Sequence, residues 1–331
     1  MSTAFQIALE TDDRDAIRRA PKADLHTHGY LGGDRAHIRA ATGRDIRPVA
    51  APLPSMDAMH AWVGANIGDL FEGAAGRRLG LEAVFARVLD DGLSRIAFGD
   101  DVWMITRALG SARDLFDGVE AVRARMAPQV EWLPQLGLSR HCKAEWLEAW
   151  IAPFLELGLY RSLDLSGDEL AQPIAVFAPL YRAARAEGLR LTAHVGEWGT
   201  ADDVWRAVET LELDEVQHGI AAAASPQVMR FLAEARIRLN VCPTSNILLG
   251  RVSSLKAHPI RALFDAGVKV TVNTDDALVF GATVSDEFRA LYRAGVFTAA
   301  ELDTIREWGL QDERERPEDR PTRRSGRAAQ N

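Results

Sequence analysis

His26 and His28 stand two residues apart in the run Pro21-Lys-Ala-Asp-Leu-His-Thr-His28. On a strand, residues i and i+2 point to the same side, so both imidazoles can reach one metal ion. His194, His218 and the pair Asp275–Asp276 each close a later apolar run. A lone His-x-His is a weak signal, because a histidine at a strand end is most often a satisfied polar residue. Imidazoles and carboxylates gathered at the ends of four different strands are harder to explain as core or surface decoration. Three imidazoles and a carboxylate suit Zn²⁺, with iron, cobalt or manganese as alternatives. A cysteine-based zinc site of the Pro-Cys-x-x-Cys type is absent. The run Leu165-Ser166-Gly167 carries no lysine that could bridge two ions, which favours a single metal.

Eight short apolar runs must position these groups. They are Ala23–His26, Leu93–Phe98, Glu131–Leu136, Tyr160–Leu165, Leu189–His194, Glu215–His218, Ile237–Cys242 and Val268–Asn273. Short continuous apolar runs suit parallel strands buried on both faces. Helical patterns separate them. Thr200 with Asp203 reads as a capping box, followed by an apolar stripe of Val204, Trp205, Val208 and Leu211. Ser225-Pro226 opens another helix, with Val228, Phe231, Leu232 and Ala235 at helical spacing. The alternation predicts an α/β chain folded as one (β/α)₈ TIM barrel over residues 1–310, with its chemistry at the C-terminal strand ends.

Residues 32–80 are too many for a strand-to-helix turn, and they carry a helical pattern around Met56–Leu70. This helical insertion after the first strand is either a lid over the mouth or packing decoration. From Gln311 to Asn331 the chain is almost wholly charged and polar, which predicts a disordered tail.

The composition is that of an ordinary globular protein: 331 residues, 47% hydrophobic and 26% charged. The net charge of -8 offers no basic footprint for nucleic acid. No apolar run is long enough to span a membrane, and Met1–Arg19 has no signal-peptide core. Cys142 and Cys242 suggest no disulfide framework, and a reducing, cytoplasmic setting fits.

Together these motifs resemble the adenosine deaminase family of the metal-dependent amidohydrolases. Pro21–His28 looks like its first metal-binding motif, and Leu165-Ser-Gly-Asp-Glu169 like its substrate-contacting fourth strand end. His194-Val-Gly-Glu197, His218-Gly219, Cys242-Pro-Thr-Ser-Asn246 and Asn273-Thr-Asp-Asp276 match the motifs that follow, in order, and the likeness runs from about Pro21 to Trp308. The resemblance implies a zinc-dependent aminohydrolase acting on a purine or purine-like base or nucleoside. It implies one Zn²⁺ held by His26, His28, His194 and Asp275. Glu197 is then the acid that protonates a ring nitrogen, and His218 orients and helps deprotonate the attacking water. Gly167 donates its amide to a ring nitrogen, and Asp276 contacts the imidazole side of the base. Glu197 could instead cap the helix after Thr200, and Asp276 could merely support a ligand. Ser245 and Asn246 either bond the site or shape the strand end. His258 reads as structural, and His37, His60 and His141 as surface or lid residues.

The chain departs from the family at the periphery. Adenosine-specific members follow the second histidine with Leu-Asp-Gly, whose Asp contacts ribose; here Tyr30 takes that place in His28-Gly-Tyr-Leu-Gly-Gly33. A small insertion would let Asp34 take over that contact. The second strand ends Phe98-Gly-Asp-Asp101, where Asp100 and Asp101 either face the pocket or, slightly favoured, cap the next helix. Adenosine itself is therefore expected to be a poor substrate, and the partner is a small aminopurine-like molecule. Two rivals stand: another hydrolysis on the same barrel, such as opening a cyclic amide or removing another ring substituent, and an inactive ligand-binding relative.

Overall fold

The structure, a computed structural model, describes residues 1–107 and 109–311. Eight parallel strands follow one another round a barrel in sequence order. They are β1 (Lys22–Asp24), β2 (Leu93–Asp101), β3 (Glu131–Ser139), β4 (Ser162–Ser166), β5 (Arg190–Val195), β6 (Glu215–His218), β7 (Arg238–Val241) and β8 (Val270–Val272). The barrel closes between its first and last strands through a parallel bridge from Thr27 to Asp275. The charged stretch expected to be disordered lies, beyond Gln311, outside the described residues.

The outer helices start as their sequences dictate. Thr200 caps Ala201–Leu211 with the full reciprocal box to Asp203. Its stripe is buried at Val204, Val208 and Leu211, while Trp205 stacks on Phe231 of the next helix, Pro226–Glu234, at 4.3 Å. Two short N-terminal helices, Ala4–Glu10 and Arg14–Arg19, had no reading in the sequence. The first anchors the N-terminus to the closing helix Ala299–Leu310, with Thr3 Oγ1 donating to Asp303 at 2.6 Å. That closing helix packs on both β1 and β8.

His26 and His28 do not close β1 as expected, because β1 ends at Asp24. The ladder stops where side chains take over the seam. Asn273 Oδ1 accepts from the Leu25 amide at 2.8 Å, and Asp24 accepts from Thr274 Oγ1 at 2.6 Å and from Arg87 Nη1 at 2.9 Å. The insertion forms helices Arg35–Thr42 and Met56–Asn66, and the long helix Gly73–Asp90 already begins inside the span 32–80.

The barrel interior holds a charged layer near its base. Glu215 is buried and accepts from Arg190 Nε at 2.8 Å, Arg238 Nη2 at 2.7 Å and Asn240 Nδ2 at 2.9 Å. Burial works against its charge, yet the guanidiniums of Arg238 and Arg190 hold the carboxyl far below the usual range. Such a group contributes stability that is present above its unfolded pKa, about 4.3, and lost as pH falls toward the folded value. Glu215→Gln should therefore destabilise the protein at neutral pH by about 3–5 kcal/mol, the cost of stranding a buried charge. The gap from wild type should narrow below about pH 4. Urea unfolding midpoints measured from neutral pH downward check this, and a gap independent of pH would contradict it.

Candidate active site

Four donor atoms converge at the C-terminal end of the barrel. His194 Nε2 lies 3.0 Å from His26 Nε2 and 3.0 Å from His28 Nε2. Asp275 Oδ1 lies 3.2 Å from His28 Nε2 and 3.6 Å from His26 Nε2. The other nitrogens fix the tautomers. His26 Nδ1 sits 2.9 Å from the Asn240 carbonyl, and His194 Nδ1 sits 3.0 Å from Asp164 Oδ2. With each proton on Nδ1, beside an oxygen, the Nε2 lone pairs of His26 and His194 would face each other at hydrogen-bond distance. Burial and the His194 ring push His26 down to about 3, so it is neutral. Facing lone pairs repel unless a cation lies between them. A tetrahedral ion with bonds of about 2.0–2.1 Å sets its ligands about 3.3 Å apart, close to the spacing seen. The donor set therefore fits a divalent metal, with Asp164 as the carboxylate behind His194. A second group, His26, His218, Cys242 and Asp275, also lies close together. It shares two residues with the first, and burial keeps the Cys242 thiol protonated.

Glu197 stands beside this cluster with both oxygens held. Asn246 Nδ2 donates to Oε1 at 2.9 Å, and Trp198 Nε1 donates to Oε2 at 3.0 Å. His218 Nδ1 lies 3.5 Å from Oε1 and 3.1 Å from Asn246 Nδ2. Burial, then the charges of Asp275 and Glu169, raise the Glu197 carboxyl well above its usual range. The helix at Thr200 is capped by Thr200 and Asp203, so Glu197 is not its cap. His258, read as structural, lies with Nε2 3.3 Å from Asn246 Oδ1 and so orients that amide. Ser245 Oγ donates to Asp275 Oδ2 at 2.5 Å, so both residues of the Ser245-Asn246 pair bond the site. His218 and Asp275 have positive φ, +63° and +59°, a conformation non-glycine residues adopt at a cost of about 1–3 kcal/mol.

These groups floor a cavity of about 760 Å³. Gly167, with φ of +90°, and Asp276 lie in its wall. Asp276 is buried with Oδ1 unpartnered, and burial and Asp275 push its carboxyl up to about 8. The insertion supplies the outer wall through Met56, Met59, His60 and Val63 of helix Met56–Asn66, with Phe71 beyond it. His60 meets His141 at 5.6 Å across the mouth. Asp34 instead caps Arg35–Thr42.

The second-strand carboxylates correct one expectation. Asp100 and Asp101 belong to β2 itself and line the cavity, and Asp100 is spent on a buried ion pair rather than on a cap. Arg77 Nη2 donates to Asp100 Oδ2 at 3.0 Å, and Arg77 Nη1 donates to the Tyr30 hydroxyl at 2.6 Å. Tyr30 thus borders the cavity with its hydroxyl engaged by Arg77. Sequence reasoning gave no role to Arg77, Asp164 or Glu169. Asp164 was detectable, since a carboxylate inside an apolar strand needs a buried partner. Glu169 ends the fourth-strand motif, which gave no role to its own side chain, and Arg77 carries no comparable local signal.

The family model for adenosine deaminase matches residues 129–313. A Treponema pallidum protein provisionally named adenosine/adenine deaminase is 32% identical over 288 residues, covering 87% of this chain and 96% of its own length. Among solved structures, an adenine deaminase from Arthrobacter aurescens superposes with a TM-score of 0.73 at 23% identity, covering 88% of this chain and 92% of that one. A zinc-bound amidohydrolase from Burkholderia ambifaria superposes with a TM-score of 0.74 at 20% identity, covering 95% and 90%. Motif order, barrel and matches agree: the chain belongs to the adenosine deaminase family, hydrolases that act on C–N bonds.

Proposed function

We propose that this protein is a mononuclear zinc aminohydrolase that deaminates an aminopurine base or a nucleoside-like derivative without phosphate. The observation that carries the reading is the placement of Glu197, a largely buried carboxyl with both oxygens held, beside three imidazoles and a carboxylate on the cavity floor.

His26, His28, His194 and Asp275 would hold the ion. When bound, it supplies a water made nucleophilic at neutral pH. His218, aimed from the end of β6 and backed by Asn246, orients that water and takes its proton. Glu197 gives a proton to the ring nitrogen next to the amino-bearing carbon, so negative charge does not build up on the ring. The unpartnered Asp276 Oδ1 faces the imidazole side of the base, and the Gly167 amide donates to a further ring nitrogen. The balance is an amidine plus water giving a cyclic amide plus ammonia: one C–O bond forms, and the C–N bond to the amino group breaks.

The outer wall supports a phosphate-free substrate other than plain adenosine. Among the described residues lining the cavity are eight acidic side chains and one arginine, Arg107, which lies over the Trp103 ring at 5.0 Å. A phosphate carrying about two negative charges would meet mostly carboxylates there. Tyr30 gives an aromatic surface where adenosine-specific members place a carboxylate.

Three outcomes test the reading. Glu197→Gln should retain metal and lose about 10²–10⁴-fold in turnover, the worth of a general acid; a loss under about tenfold on the best substrate removes Glu197 from that role. Elemental analysis should find about one divalent ion per chain, lost on chelation with a fall in thermal midpoint; two tightly held ions contradict the assignment. On a panel of adenine, adenosine, AMP and N6-substituted or 5′-modified analogues, release of ammonia, or of the substituted amine from an N6-substituted analogue, should favour a base or modified nucleoside. AMP should be inert, and a kcat/KM for adenosine near about 10⁶ M⁻¹s⁻¹ would make this an ordinary adenosine deaminase.

A further inference from the structure

Between β5 and the helix Ala201–Leu211, four consecutive backbone amides point at one carboxylate. Glu169 Oε1 accepts from Gly196 at 2.6 Å. Its Oε2 accepts from Glu197 at 3.1 Å, Trp198 at 2.8 Å and Gly199 at 3.1 Å. Successive amides turned inward form a small anion-binding concavity. Here a side chain of the same protein fills it, 6% exposed. Arg140 fastens the frame by donating to the main-chain oxygens of Glu169 and His194. Gly199 is needed for the approach, since a Cβ there would lie 2.5 Å from Glu169 Oε1.

We propose that Glu169 is the positioning residue for the proton donor Glu197. It fixes the backbone of Glu197 and that of Trp198, whose indole holds Glu197 Oε2 at 3.0 Å. Asn246 governs the other oxygen. Trp198 is steadied from outside by Arg251, stacked 4.1 Å from its ring. Proton transfer depends steeply on placement, and a shift of about 1 Å can cost about 10²-fold. Glutamine at 169 keeps the volume and leaves one acceptor oxygen, while its NH₂ faces amide donors. The inference rests on the proposed role of Glu197, and a double-mutant cycle separates the two.

With the aminopurine that wild type turns over fastest, E169Q should lower kcat by about 10²-fold with KM within threefold and metal content unchanged. On an E197Q background the same substitution should change the residual kcat by less than threefold, because the group it positions is gone. A general structural role would lower kcat by the same factor on both backgrounds, and that result overturns the proposal. If E197Q alone keeps wild-type turnover, the role of Glu197 fails instead. Amide hydrogen exchange gives a readout free of turnover. Exchange at Gly196–Gly199 should quicken at least tenfold in E169Q while the barrel strands stay protected, and unchanged exchange there refutes the anchoring. If E169Q does not fold, Gly199→Ala, which pushes a methyl against the same carboxylate, enters the same cycle and the same exchange measurement.

Discussion

The last strand has to lie against the first before any chemistry is assembled. Residues about 250 positions apart meet at that seam, where the Asp275 amide donates to the His26 carbonyl at 2.9 Å and Thr27 Oγ1 donates to the Asp275 carbonyl at 2.8 Å. These bonds join the segment that carries two imidazoles to the segment that carries the carboxylate. Seam and donor set are therefore one construction. Asp24, wholly buried, ties the two segments to each other and to the helix Gly73–Asp90 through Arg87. Contacts between chain ends carry a loop-closure cost that earlier contacts do not. The site is thus completed only when the whole barrel has formed.

That construction stores opposition as well as attachment. His218 and Asp275 hold left-handed backbones, and bare imidazole nitrogens face one another. Asp164, Asp275 and Asp276 are buried close together, with Glu197 largely buried beside them. A cation at the converging nitrogens relieves the lone-pair repulsion. Neutral partners elsewhere, such as Asn246 and Ser245, orient carboxylates without adding charge.

The architecture was readable because its signals are local. β6 matches its expected span, Glu215–His218, at both ends. The helix starts at Thr200 and Ser225 were visible as caps. β1 ends at Asp24, two residues short of its apolar run, because side-chain bonds from Asn273 and Thr274 take over at Leu25 and Asp24, and no propensity reports that substitution. The metal-type residues were legible as rare polar groups ending apolar runs. Glu169, Arg77 and the engagement of Tyr30 were not, because each acquires its meaning from a partner 23 to 47 residues away. The reading of Asp100 as a cap failed for the same reason: a cap is a local device, and Arg77 is not local to it.

The walls of the cavity differ in chemistry from its floor. Met56, Met59 and Met104 line the cavity, and none of them belongs to the converging donor set of His26, His28, His194 and Asp275. Thioethers are soft and unbranched, so they mould to varied shapes. They are also the side chains that peroxide turns into polar sulfoxides. Oxidative damage would thus strike the choice of substrate first and leave the bond-breaking groups intact, so an ageing enzyme would drift in selectivity before it lost its power to act.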